Sequence, residues 1–329
     1  MEKVIKWGII GCGHIAPKFI EGINVLQNTK VVAVASKSID KARDLAKRYD
    51  IEFFYDDYEL LISNPEVDVI YIATSHNFHK ENILQCLKHQ KAVLCEKAFT
   101  VNGKEAELVI NYAREQKVFL MEAMWTRYLP SIKEVKRLVK SGVIGEVRNL
   151  EANFGFLSPF NPEGRLYNKQ LAGGSLLDVG IYPVSFAYYI FGKEPVNIKS
   201  SAKIGVTGVD EQTAIIFTYN DGSMAQLASS MTLQMSQLAV ITGTKGIITL
   251  KKFHRAIGYT LQLNDEEPQE VSIPFESTGY NYEAQEVIDC LNNGKLESDI
   301  MPLNETLQIM RCMDQIRADW GVVYDADIE

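Results

Sequence analysis

The sequence predicts an α/β fold in two parts. A Rossmann-type parallel-sheet domain is expected at residues 1–122, and an α+β domain with a large, mostly antiparallel open sheet at 123–329. Three observations lead there. Strands alternate with amphipathic helices as far as about Leu120, a Gly-x-Gly-x-x-Ala turn follows the first strand, and beyond Glu122 strands follow strands. At 329 residues the chain is long enough for two sizeable cores.

The first half has five apolar runs, "VIKWGII", "VVAVAS", "VDVIYIAT", "AVLCEK" and "VFLM". Between them lie "IAPKFIEGINVL", "IDKARDLAKRY", "YELLISN", "HKENILQCLKHQ" and "NGKEAELVINYAREQ", whose apolar residues recur at helical spacing. Continuous apolar strands alternating with helices give a parallel sheet covered on both faces. Such a sheet binds ligands at the carboxyl ends of its strands, where the strand order reverses. The first strand runs into Gly11-Cys12-Gly13-His14-Ile15-Ala16. Gly11 permits the tight turn, Gly13 lets a pyrophosphate approach the backbone, and Ala16 lets helix and strand pack closely. The N–H groups of His14 and Ile15 then open a helix that can hold phosphates.

The end of the second strand chooses the cofactor. An NAD enzyme places Asp or Glu there for the ribose hydroxyl. This chain offers Ser36, Lys37 and Ser38. No carboxylate repels a 2′-phosphate and Lys37 attracts one, so NADP is expected ahead of NAD.

In the second half "LPSIKEVKRLVKSG" reads as a helix, "EVRNLEANFGF" as a strand and "LLDVGIYPVSFAYYIFG" as a turn feeding an apolar helix. Consecutive strands follow: "VNIKSSAKIG", "EQTAIIFTYN", "GSMAQLASSM", "LAVITGT" and "GIITL", with Asp221-Gly222 marking a hairpin. Helices near Tyr282–Asn292 and Leu303–Trp320 close the chain. Ala214, Ile215, Ile216 and Phe217 put apolar groups on both faces of one strand. A sheet face that apolar is expected to be covered by a second copy, giving a homodimer.

The bulk numbers exclude some classes. A formal net charge of -8 argues against nucleic acid or an anionic membrane as partner. Cys12, Cys86, Cys95, Cys290 and Cys312 are odd in number and contain no Cys-x-x-Cys, which suits reducing cytoplasm. "MEKVIKWGIIGCG" enters a strand directly and does not read as a signal peptide. No apolar run reaches the ~18 residues of a membrane span. His76 and His79 in "TSHNFHK" lack a third ligand, so no metal is expected.

The segments "KWGII", "AVLCEK", "MEAMWTRYLP", "GGSLLDVGIYP", "GTKG" and "YEAQEV…CL" extend from Lys6 to Leu291. Together they resemble the glucose-fructose oxidoreductase / inositol dehydrogenase / MocA family of NAD(P)-dependent oxidoreductases. The resemblance places the family's catalytic lysine on Lys97, after Glu96 at the carboxyl end of a sheet strand beside the nicotinamide. The family usually continues with Pro, and here Ala98 stands in its place. The family's aspartate falls on Asp178. Its proton-donor position, often histidine, falls on Tyr182, as it does in a dimeric branch of the family. That branch also implies that Thr74, His76 and His79 line the cofactor site, and that Trp125 and Phe154 wall the substrate pocket. Arg127, beside Trp125, is expected where the substrate enters.

The chemistry fits these assignments. Oxidising an alcohol sends hydride to the nicotinamide and a proton to a base. A free tyrosine titrates near ~10, too high for efficient base catalysis at neutrality. A neighbouring ammonium favours the phenolate. The expected activity is hydride transfer between NADP and a secondary alcohol or hemiacetal of a cyclic polyol, a trans-dihydrodiol or an aldose. The alternatives are an NAD-linked inositol or sugar-derivative dehydrogenase and an inactive NADP-binding regulatory protein.

Overall fold

The computed structural model describes residues 4–328. The chain divides into two compact units: the residues up to Trp125 together with Glu276–Leu307, and Thr126–Phe275 with the residues from Gln308 onward.

The first unit opens with β1 (Ile5–Ile10), α1 (Ile15–Ile23), β2 (Thr29–Ala35), α2 (Ile39–Tyr49), β3 (Phe53–Tyr55), α3 (Tyr58–Ile62), β4 (Val69–Ile72), α4 (His79–Lys88), β5 (Ala92–Glu96), α5 (Gly103–Gln116) and β6 (Leu120–Ala123). The six strands form one sheet in the order β3-β2-β1-β4-β5-β6, every pair parallel. The order reverses at β1, whose last residue, Ile10, lies level with Ala35 on one side and Ile72 on the other. The apolar strand sequences are explained by burial on both faces, since β4 and β5 have no exposed residue. Phe19 of α1 stacks on Tyr71 of β4 with ring centroids 3.7 Å apart, fixing α1 against the sheet.

The second unit contains α6 (Pro130–Ser141), β7 (Val147–Gly155), a π-helical segment (Leu176–Gly180) running into α7 (Ile181–Phe191), and then β8 (Asn197–Ile204), β9 (Asp210–Thr218), β10 (Met224–Ser230), β11 (Ala239–Gly243), β12 (Gly246–Leu250), β13 (Gly258–Leu263) and β14 (Gln269–Ser272). Its eight strands run in the order β14-β13-β12-β11-β7-β10-β9-β8. All pairs are antiparallel except β7 with β10. The sheet alternates cleanly: Ile215 and Phe217 are 1% and 0% exposed, whereas Ile216 and Met224 of the other face are 41% and 39% exposed. The covered face lies under α7 and the segment before it. Apolar groups therefore occupy both faces, as the sequence pattern predicts.

Two helices close the chain, α8 (Asn281–Asn292) and α9 (Leu303–Trp320). Here the structure departs from the division at residues 122 and 123. The segment Glu276–Leu307, which includes α8, belongs to the first unit. Ser277 and Thr278 donate their hydroxyls to the carbonyls of Glu21 and Lys18 in α1, at 3.0 and 2.7 Å. Leu120 of β6 donates its N–H to the Leu296 carbonyl at 3.1 Å. These bonds join residues far apart in sequence, so strand–helix rhythm cannot reveal them.

Asp210, at the start of β9, is fully buried and accepts the Leu176 N–H at 2.6 Å. Burial pushes its carboxyl up to about 7. Its value in the unfolded chain is ~4. Between those values the folded protein holds the extra proton, so this group's contribution to stability falls as pH rises through that window. Asp210→Asn keeps an acceptor but cannot ionise. Its melting temperature relative to the natural protein should therefore climb from about pH 5 to about pH 8. A constant offset across that range would show that Asp210 titrates normally.

Candidate active site

The dinucleotide turn follows β1. Gly11 has φ +99°, and a Cβ there would lie 2.6 Å from the Ala73 carbonyl oxygen after β4, so only glycine fits. Around Gly13, by contrast, no atom lies within 4 Å of where a Cβ would stand. His14 precedes α1 without a side-chain cap, leaving the N–H groups of Ile15 and Ala16 to an external acceptor. Ala16 is fully buried against the sheet. A tight first glycine, open space at the second and an uncapped helix start all fit a bound pyrophosphate.

At the end of β2 the Ser36 hydroxyl accepts the Ser38 N–H at 3.3 Å. Lys37 is exposed, its ammonium 5.1 Å from the centroid of the Phe78 ring. The nearest following acid, Asp40, is paired with Arg43 at 2.8 Å.

His79 lies between the turns after β4 and β5. This histidine begins α4 and is fully buried. One ring nitrogen is 3.0 Å from the Thr74 carbonyl, and the other is 3.0 and 3.2 Å from those of Ala98 and Phe99. Burial pulls it below the usual histidine range. The Thr74 hydroxyl accepts from Asn82 at 3.0 Å, and His76 packs edge-on to His79 at 5.9 Å. Backbone carbonyls of this unit thus face both ring nitrogens of His79; the neutral ring has one N–H and donates on one side only, either to Thr74 or to the residues after Lys97.

Lys97 is half-buried at the end of β5, and the Lys97–Ala98 peptide is cis without a proline. Glu96 is buried. One carboxylate oxygen accepts the Tyr71 hydroxyl and the other the Lys97 N–H, the latter at 3.2 Å. Beyond them Glu283 of α8 is 0% exposed, and neither of its oxygens has a hydrogen-bond partner among the described residues. Burial and, after it, the adjacent Glu96 charge push Glu283 well above the carboxylate range. Trp125 stacks on Tyr280 of this unit at 4.7 Å, which makes it a packed ring.

In the second unit the π-helical segment and α7 carry Asp178 and Tyr182, one turn apart. Asp178 is buried and accepts from Arg165 at 2.6 Å. Tyr182 meets Phe154 edge-on at 5.2 Å and His254 at 6.0 Å, while Phe154 and His254 stack face to face at 4.0 Å. Arg127, expected where the substrate enters, is in this unit bound to α7. It is 2% exposed and donates to the Ser185 hydroxyl and carbonyl of α7 at 2.9–3.1 Å, its guanidinium lying over Tyr189. These contacts tie Arg127 to α7.

Sequence reasoning missed Tyr71, Glu283, Arg165 and His254. Tyr71 is hidden in the apolar run "VIYIAT", and Arg165 and His254 stand in segments without period. Glu283 in "YEAQEV" had a signal: it lies on the same helix face as Val287, which is buried. Among the described residues no group of three or more His, Cys, Asp or Glu is arranged to hold a metal ion, and no helix is long and apolar enough to cross a membrane.

Comparison with known proteins adds to this geometry. Residues 5–124 match the model of an oxidoreductase family with an NAD-binding Rossmann fold, and residues 132–249 that of a GFO/IDH/MocA C-terminal domain. The chain is 35% identical over 328 residues to the trans-1,2-dihydrobenzene-1,2-diol dehydrogenase of Xenopus laevis, covering 97% of this chain and 99% of that protein. It is 35% identical over 334 residues to the Mus musculus enzyme of the same name, covering 98% and 99%. Aldose-aldose oxidoreductase from Caulobacter crescentus superposes with a TM-score of 0.88 at 22% identity, covering 96% of this chain and 97% of that one. Both halves of the fold and nearly the whole sequence agree: the chain is an oxidoreductase and belongs to the Gfo/Idh/MocA family.

Proposed function

We propose that this protein is an NADP-dependent dehydrogenase of a secondary alcohol or hemiacetal in a cyclic polyol, a trans-dihydrodiol or an aldose. The observation that carries the reading is 35% identity over 97% of the chain to a relative named for a trans-dihydrodiol. The aldose side is supported by similar folds named for aldose chemistry. A cytoplasmic setting suits the five free cysteines.

In this reading Gly11, Gly13 and the start of α1 hold the pyrophosphate, and Ser36 and Lys37 receive the 2′-phosphate. NADP, when bound, supplies the hydride acceptor. Tyr182 takes the proton from the substrate hydroxyl, and the Lys97 ammonium favours the phenolate that receives it. Asp178, held by Arg165, orients the reacting groups. Phe154 and His254 fix the Tyr182 ring and offer a flat apolar wall to a ring-shaped substrate. Glu96, fixed by Tyr71, anchors the backbone of Lys97.

Lys37 should make NADPH bind more tightly than NADH. Lys37→Ala should weaken NADPH by roughly tenfold, the loss of about 1.4 kcal/mol, and leave NADH nearly unchanged. Fluorescence titration measures both, and equal affinities in the natural protein refute the NADP assignment.

Tyr182→Phe should lower kcat with NADP and D-xylose or trans-benzene dihydrodiol by ~10²–10⁴-fold, with cofactor affinity held within about twofold. Steady-state kinetics read this. A Phe variant of near-natural activity excludes Tyr182 as the proton-transfer group.

A homodimer through the open sheet face is supported by Ile216 of β9, Met224 of β10 and Ile247 of β12, each at least 36% exposed. Light scattering during size exclusion should give about twice the 37.0 kDa of one chain, and Ile216→Glu should shift it toward one chain. A natural protein running as a single chain at micromolar concentration rules this interface out.

A further inference from the structure

The segment that carries Asp178 and Tyr182 begins at Gly173-Gly174, and two buried polar residues from elsewhere in the second unit converge on that turn. Tyr324, near the end of the chain, donates its hydroxyl to the Gly173 carbonyl. Asp210 of β9 accepts the Leu176 N–H at 2.6 Å. Gly174 has φ +129°, and a Cβ there would lie 2.4 Å from an Asp210 oxygen and 3.0 Å from the Tyr324 hydroxyl. The Gly174 carbonyl in turn accepts the Asp178 N–H at 3.3 Å. Tyr324 is thus two bonded groups away from a candidate catalytic carboxylate.

Tyr324 is itself held. The Arg317 guanidinium of α9 lies over its ring at 4.7 Å. Arg317 bonds Asp327 at 2.8 Å and Asp314 at 2.7 Å, and Asp327 accepts the Tyr324 N–H at 2.8 Å. Arg317 and Tyr324 are each 2% exposed and Asp210 is fully buried.

A segment that buries a guanidinium and a phenol bears a desolvation cost. An apolar segment would cover the same surface without it. What the polar arrangement adds is direction, because each bond fixes one atom of the turn before Asp178. The alternative, a segment that only covers the core, needs no hydroxyl aimed at Gly173.

We propose that Tyr324 and Asp210 form a buried latch on Gly173-Gly174, and that the segment 317–327 is a positioning element for Asp178 and Tyr182. The inference rests on the catalytic reading of those two residues given above. Tyr324→Phe removes the hydroxyl and keeps the ring under Arg317. Asp327→Asn, a second variant, loosens the hook without touching the turn. Hydrogen–deuterium exchange read by mass spectrometry follows a peptide spanning 174–186, with one spanning 5–23 as internal control.

In Tyr324→Phe the 174–186 peptide should exchange roughly tenfold faster and the control should not change. With NADP and D-xylose or trans-benzene dihydrodiol, kcat should fall several-fold while KM and NADPH affinity stay within about twofold. Asp327→Asn should do the same to a smaller extent. Unchanged exchange at 174–186 in both variants overturns the latch. So does faster exchange with kcat unchanged, or a rise spread evenly over the second unit with a parallel drop in melting temperature. Tyr182→Phe in the same assay separates the two ideas. If it stays active the catalytic reading fails, and the exchange data still decide whether the latch holds the turn.

Discussion

The Glu96 carboxylate, buried at the end of a central parallel strand, is the fixed point on which the first unit depends. A charge there must be satisfied from inside, and the protein does so from two directions. Tyr71 on the adjacent strand donates its hydroxyl and the Lys97 backbone donates its N–H, while the buried Glu283 beside them is pushed well above the carboxylate range by burial and by the Glu96 charge. Tyr71 is placed by its stack on Phe19, so α1, whose start forms the phosphate turn, is registered to the same point. Glu283 arrives on a helix that returns from late in the chain, which is why Glu276–Leu307 completes the nucleotide-binding unit. The cofactor turn and the lysine strand are therefore parts of one packed arrangement.

Much of this was legible in the sequence. The glycine turn after a chain-initial strand, the missing carboxylate at the end of β2 and the Glu-Lys pair closing β5 all have local signatures with a physical reason. The rest was not legible because it depends on distant partners. Nothing in "MEAMWTRY" tells that the guanidinium of Arg127 spends its donors on Ser185 in α7. The spacing of His76 and His79 speaks against a metal, yet it does not show that His79 is buried between the backbone carbonyls of the turns after β4 and β5. Replacing the family's proline by Ala98 removes the usual sign of a cis bond, and the bond is cis nonetheless.

The second unit separates its tasks by face. The covered side of its sheet supports α7 and the segment before it, and so carries Asp178 and Tyr182. Phe154 of β7 and His254 reach the Tyr182 ring from this sheet and the turn after it. The open side carries Ile216, Met224 and Ile247 and contributes nothing to that cluster. Alternation along each strand gives one sequence two faces of different character, one covered by the segment of Asp178 and Tyr182 and one open.

The place of β7 in its sheet has a consequence for how the chain reaches this fold. β7 is the first strand of its sheet to be synthesised, yet both of its neighbours, β10 and β11, come later in the sequence. Until they emerge, β7 has two unpaired edges and no hairpin partner of its own. Contacts of such long sequence separation form slowly, and open edges invite pairing with other chains. The π-helical segment and the apolar helix α7 that continues it, encoded between β7 and β8 and packed against β7 in the finished fold, are the earliest elements able to shelter it. The stretch that presents the candidate proton-transfer residue is thus also the nascent chain's first protection against misassembly.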